Sequence, residues 1–298
     1  MTYFSKTLLA AALCLASLSI HPAIGQPVDE ISPTQWREDL DYFKKVIQSK
    51  YQNLFYNVTE KQFDSAVNAV EKKIGTLGDI QMRVEFVKLV AMFKVGHTMV
   101  RHQYGTRNEL IPWVNTIPVT FYLFPEGLYI KRIDSKYKEA AGGKITMIGN
   151  TDVKTALDKI RPVVAYENEQ GFKSMLPIYL NKPEFLQATG IIDDTKTVSL
   201  TYSKDGKENT IVIQSEAMVQ QTGHGVQTTN AKRTDAYEGK NTPFWLKEPG
   251  KLRYFEYLPS SKTVYVRHSA VQHEPGALPP TFERQVTRIS DCTTKYVG

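Results

Sequence analysis

Cysteine is almost missing from this 298-residue chain: only Cys14 and Cys292 are present. If the first twenty-five residues are removed, as argued below, a single cysteine remains. A fold stapled by internal disulfides is then excluded, and stability must come from packing. There is also no cluster of basic residues. Lysine and arginine total 37 against 31 acids, a formal charge of +6, and the two signs are interspersed. A nucleic-acid surface normally needs a concentrated basic patch, so no nucleic-acid partner is expected. No glycine-rich phosphate loop follows a strand. No Cys/His cluster accompanies the pairs His97/His102 and His268/His273, each five residues apart. That spacing does not place two imidazoles on one helix face, so neither a metal nor a cofactor is expected. Asn57-Val58-Thr59 matches a glycosylation sequon, but Thr59 reads better as a helix cap, and a bacterial export route would leave the sequon idle.

Long hydrophobic runs are equally scarce, with one exception at the start. Lys6 precedes an uncharged apolar stretch over 8–20, followed by His21-Pro22-Ala23-Ile24-Gly25. Pro22 stops a helix, and Ala23 and Gly25 supply the small-x-small pattern that a signal peptidase needs. The run is short of the roughly 20 residues of a bilayer span. Residues 1–25 are therefore expected to be a cleavable signal peptide, with the product periplasmic or extracellular and without a stable membrane span. Cys14 is preceded by Leu13 rather than a small residue, which disfavours a lipoprotein. About 270 residues remain, enough for one large domain or two modest ones.

Three textures follow, and together they point to an α+β fold class. Residues 26–110 read as a helical subdomain. Ser32-Pro33-Thr34-Gln35 is a capping box with proline at the first helical position, and Trp36, Leu40, Phe43 and Ile47 recur on one face. Thr59-Glu60-Lys61-Gln62 is a second capping box, leading to Phe63, Ala66, Val67, Val70 and Ile74. A third helix opens near Asp79. Its run from Val84 to Val95 leaves little polar face, so it should be buried on most sides and end at Gly96. Residues 115–215 alternate strands with helices. Strands are expected over 117–124 and 128–133 around Pro125-Glu126-Gly127, and over 144–148 before Gly149-Asn150. A helix should carry Val153, Ala156, Leu157 and Ile160. A hairpin should turn at Asp205-Gly206 between 197–202 and 210–213. Residues 216–250 are polar and rich in Gln, Thr and Gly, and read as a linker or loop. In the last stretch, 251–298, strands at 252–258 and 263–270 precede a short helix opening at Pro279-Pro280. A strand pair followed by a helix ordinarily feeds another strand, so this stretch reads as the truncated start of a further α/β unit.

Two places could carry chemistry. In Gly96-His97-Thr98 the histidine should stand just past a buried helix, where the negative end of the dipole favours an imidazolium. Two uses fit: a C-terminal helix cap, or a general base that becomes cationic on taking a proton. At Gly127-Leu128-Tyr129-Ile130, a glycine before a strand serves either as a plain hairpin turn or as a site where backbone N–H groups hold a peptide carboxylate while the strand edge pairs with the peptide. His268-Ser269 are neighbours on an expected strand and would face opposite sides, so they do not form a dyad.

The order of these features resembles the tail-specific (C-terminal-processing) and tricorn-type serine peptidases. The front helix at Trp36 is similar to theirs. So is the hydrophobic helix closing in Gly96-His97-Thr98. The landmarks Ile117-Pro118-Val119, Gly127-Leu128-Tyr129-Ile130 and Ile145-Thr146-Met147-Ile148-Gly149-Asn150 look like their PDZ-like module, and Tyr254 to Leu258 with Thr263 to Val266 look like the strand pair that follows. The resemblance implies peptide-bond hydrolysis without metal or cofactor, a peptide or protein substrate, and the general-base role for His97. It also exposes a departure. The family's serine follows Asp-Leu-Arg-x-Asn-x-Gly-Gly, and these 298 residues contain no such stretch. Without nucleophile and oxyanion hole there is no acyl intermediate, so this chain alone is expected to be inactive. The alternative is an exported PDZ-like peptide-binding module that never needed catalysis.

Overall fold

A computed structural model of the chain describes residues 30–100, 114–217, 232–238, 241–248 and 250–269. The expected leader, His102, His273, the helix at Pro279-Pro280 and Cys292 lie outside these residues. The described chain is a mixed α+β structure. No helix among the described residues is long and apolar enough to cross a membrane.

Three helices lead: α1 (Pro33–Lys50), α2 (Glu60–Glu71) and α3 (Asp79–Ala91). The first two open on the capping boxes read from the sequence. Ser32 and Thr59 each accept from the backbone N–H three residues on, and Gln35 and Gln62 reach back to the cap N–H. Asp79 ties the start of α3 to the start of α1, accepting from the Trp36 indole at 3.2 Å and from the Ile31 N–H at 3.0 Å. Phe63 is fully buried among Phe43, Phe55 and Phe93. This core continues through Trp36, Leu40, Val67, Val70, Met82 and Leu89.

The second part is built on a sheet. A short strand β1 (Asn115–Thr116) precedes the hairpin of β2 (Val119–Phe124) and β3 (Gly127–Asp134). A 3-10 helix at Ser135–Ala140 leads to β4 (Lys144–Ile148) and β5 (Thr151–Asp152). Then come α4 (Val153–Ile160), α5 (Glu169–Leu180) and α6 (Pro183–Ala188). The hairpin of β6 (Thr197–Lys204) and β7 (Lys207–Gln214) turns at Asp205-Gly206, both with positive φ, as a tight two-residue hairpin requires. The order across the antiparallel sheet is β2-β3-β4-β6-β7. Its inner face carries Phe121, Leu128, Ile130, Ile145, Leu200 and Ile213 against Ile160, Phe172, Leu176 and Leu186 of the helices.

The helix α3 serves both cores. Val84 and Val87 face the sheet unit, while Met82 and Leu89 face the helical one. This is the burial on most sides that its sparse polar face implied. Its end differs from expectation. The helix stops at Ala91, because Phe93 and Lys94 tighten to i→i−3 bonds and Lys94 takes φ +53°.

The stretch read as a linker also differs. Residues Glu216–Ala217 form β8, paired with β1, and Arg233–Asp235 form β9, paired antiparallel with β3. Such short polar strands show no alternation of apolar residues. β9 is held by backbone bonds from Ser135 N–H to the Lys232 carbonyl and Ala236 N–H to the Lys131 carbonyl, and by a two-pronged bond from Arg132 of β3 to Asp235 at 2.8 and 3.0 Å. The last described pair, β10 (Arg253–Leu258) and β11 (Thr263–His268), forms its own two-stranded sheet. Arg267 gathers the preceding loop onto it by donating to the carbonyls of Trp245, Lys247, Glu248 and Lys251.

Candidate functional site

His97 stands six residues past the end of α3 and is exposed. The helix-dipole argument for its charge therefore falls away, since that effect is confined to the last turn. Neither is it a cap of α3. It sits instead on a loop pinned at three points. Asn57 donates its side-chain amide to the carbonyls of Phe93 at 3.0 Å and Lys94 at 3.4 Å, closing the helix end. The Tyr51 hydroxyl meets the Thr98 hydroxyl at 2.9 Å. From the second unit, Glu167 accepts the Gly96 N–H at 2.7 Å. The glycine at 96 is explained by that approach: a Cβ there would lie 2.8 Å from a Glu167 carboxylate oxygen. Glu167 immediately precedes Asn168, the N-cap of α5. The loop bearing His97 is thus fastened to the start of α5. Among the described residues no carboxylate is hydrogen-bonded to the His97 ring.

Gly127, Leu128, Tyr129 and Ile130 lie on β3, an inner strand. Leu128 and Ile130 are fully buried in the sheet core, and Tyr129 faces the opposite side, paired with Lys144. The backbone of Ile130 is used on the β4 side, donating to Gly143 and accepting from Gly142, while its other neighbour is Phe121 of β2. This stretch therefore has both edges occupied. The need for glycine at 127 is steric: φ is +142°, and a Cβ would lie 2.7 Å from Cε of Lys144, which crosses the hairpin there.

Among the described residues two strands end the sheet order, β2 and β7, and β2 is the one with a helix beside it. The α5 helix packs beside it, and the α5–α6 turn is bonded to its start through Ile117 N–H to the Asn181 carbonyl at 3.0 Å. That turn holds an unusual group. Lys182 is fully buried and its ammonium has no hydrogen-bond partner among the described residues; the side-chain oxygen of Asn181 is likewise buried and unpaired among them. Burial pushes Lys182 down to about 8, with partial relief from Glu184 and opposition from Arg233. Glu184 is itself occupied, accepting from the backbone and side-chain N–H groups of Asn115, and burial raises its pKa. A lone lysine before a proline carried no sequence signal for this, and neither did Glu167.

No group of three or more His, Cys, Asp and Glu among the described residues is placed to hold a metal. No family model matches the sequence, and no curated protein matches it.

Proposed function

We propose that this chain is the front portion of an exported serine peptidase of the tail-specific type. On this reading 26–110 form the helical subdomain and 115–215 a PDZ-like module that holds a peptide substrate. His97 is the general base, and the nucleophilic serine is supplied by sequence outside these 298 residues. The chain alone then binds peptide and does not cut it.

One observation carries the reading. Glu167, at the start of the helix flanking β2, whose outer edge has no strand partner among the described residues, also holds the loop that bears His97. The candidate base and the candidate peptide edge are thus built on the same helix. The element order supports the module: a hairpin, a 3-10 helix, two strands, the three helices α4 to α6 and a second hairpin, with the strands in one antiparallel sheet. Its outer strand has a helix alongside, which is the geometry in which an extended peptide adds as a further strand. The peptide edge is placed on β2 rather than at Gly127 to Ile130, whose edges are filled. The missing carboxylate partner of His97 among the described residues favours the second reading, a peptide-binding module without catalysis, because a working base is normally oriented by a third group.

Fluorescence anisotropy with an unstructured labelled peptide and its backbone N-methylated form tests the binding role. Strand addition uses the peptide's own N–H groups, so N-methylation should abolish binding. Equal binding of the two forms refutes addition to β2. Incubation with casein and with a fluorophosphonate probe tests the inactivity; serine-dependent cleavage by this chain alone overturns that part of the proposal.

A further inference from the structure

The outer face of the sheet, away from the core, is not a plain solvated surface. The segment 232–238 forms a bar at its border: β9 continues the sheet beside β3 by backbone pairing and is tied there by the Arg132–Asp235 ion pair. On one side of the bar is a cleft of about 470 Å³ bounded by Thr120 of β2, Lys131, Arg233 and Tyr237. On the other is a cleft of about 630 Å³ bounded by Tyr129, Lys138, Lys144 and Lys204. With the Arg132–Asp235 pair set aside, and Arg233 facing Glu216 and Asp134, four lysines remain on the two linings, Lys131, Lys138, Lys144 and Lys204, the last donating to the Glu139 and Ala141 carbonyls. Two carboxylates, Asp205 and Glu238, oppose them. Lys131, Lys138 and Lys144 have no carboxylate partner among the described residues. Lys131 instead lies 5.2 Å from the Trp245 ring centre.

Aromatic surface surrounds these cations. Phe124 meets Tyr122 at 4.4 Å and Tyr129 at 5.5 Å, and Tyr122 and Phe124 are each more than two-fifths exposed. Tyr237 and Trp245 close the far side. The face thus offers excess positive charge and apolar planes together, with Asp205 and Glu238 both exposed. A flat membrane of anionic lipid would meet the exposed cations but could not enter the two clefts. An extended peptide can do both.

We infer that this face selects acidic peptides: segments rich in Asp and Glu that also carry an aromatic or apolar side chain. The inference rests on the proposed addition of a peptide to β2. In such a strand alternate side chains fall on the face shared with Thr120, Tyr122 and Phe124, beside the cations of the first cleft. Complementary charge would also speed capture and make it salt-dependent.

The test uses the full chain and two labelled decapeptides with one phenylalanine each, one rich in Asp and Glu, the other with Asn and Gln in their places. Anisotropy should show at least tenfold tighter binding of the acidic peptide, a preference that collapses in about 0.5 M salt, where screening reaches within ~4–5 Å. The double substitution Lys131→Glu with Lys144→Glu should remove the preference while leaving the melting temperature and the weaker binding of the neutral peptide unchanged. Equal affinities, or a preference that survives the double substitution, overturn the inference. So does displacement of the acidic peptide by vesicles of anionic phospholipid. Failure of both peptides to bind sinks the β2 reading as well, whereas neutral-peptide binding without preference sinks this inference alone.

Discussion

Replacing Lys182 by methionine should stabilise the protein, and by more at neutral than at alkaline pH. The folded state holds this ammonium in full burial with no hydrogen bond among the described residues, its pKa pushed down from 10.5 to about 8. One pKa unit is about 1.4 kcal/mol of difference between protonation states. The buried charge therefore costs about 3 kcal/mol near pH 7. The sign follows from proton counts: the unfolded chain binds this proton more tightly, so stability of the natural sequence rises as pH climbs. The penalty is fully present below about pH 8 and fades between 8 and 10.5. Methionine matches the unbranched shape without the charge. Its removal of a cation beside Glu184 takes back part of the gain, since that carboxyl is already raised by burial. The expected net gain is about 2 kcal/mol at pH 6.5, falling below about 1 at pH 9.5. Urea unfolding followed by circular dichroism at the two pH values measures it. A methionine variant destabilised equally at both would show that Lys182 has a partner in the folded protein, and the burial reasoning would fail.

Gly96→Ala should cost about 1 kcal/mol, because the added methyl displaces the Glu167 carboxylate and its hydrogen bond. Its effect should vanish when Glu167→Ala is already present, and a double-mutant cycle with a coupling near zero would refute the contact. Glu85 is buried, which by itself raises its pKa, but hydrogen bonds from Lys73 and Lys88 at 2.7 Å each hold it below the ordinary carboxylate value. Its contribution is present above about pH 4.5 and lost as pH falls through the lowered value. Thermal melts between pH 6 and 3 should flatten in Glu85→Gln, which should also be less stable by about 1 kcal/mol at pH 6; an unchanged acid limb refutes the triad's role.

The helical front was legible because its signals are local. Ser32, Gln35, Thr59 and Gln62 form their capping boxes within four residues, and the apolar spacing from Trp36 to Leu40 marks the buried side of α1. The β6–β7 hairpin was legible from Asp205-Gly206 for the same reason. The end of α3 was not. The apolar run through Val95 continues, but Lys94 turns to positive φ and Asn57, 36 residues away, takes the freed carbonyl of Phe93. The strand at Arg233–Asp235 was hidden because its partner Arg132 is about a hundred residues distant. Of the candidate site, Gly96-His97 was visible as a motif, while Glu167, which gives the glycine its reason, was not.

The double burial of α3 bears on how the proposed site would work. Val84 and Val87 belong to the sheet core, while Met82, Leu89 and Phe93 belong to the helical core. A rotation of one unit against the other would have to pull a face of this helix out of an apolar core, at roughly 1.5–3 kcal/mol for each large side chain exposed. Glu167 adds a second tether beyond the end of the same helix. Two attachments, one midway along α3 and one five residues past its end, resist hinge bending better than either alone. In the proposed peptidase, His97 would therefore hold a fixed place relative to the β2 edge, and the element free to approach a bound peptide would be the one that brings the serine.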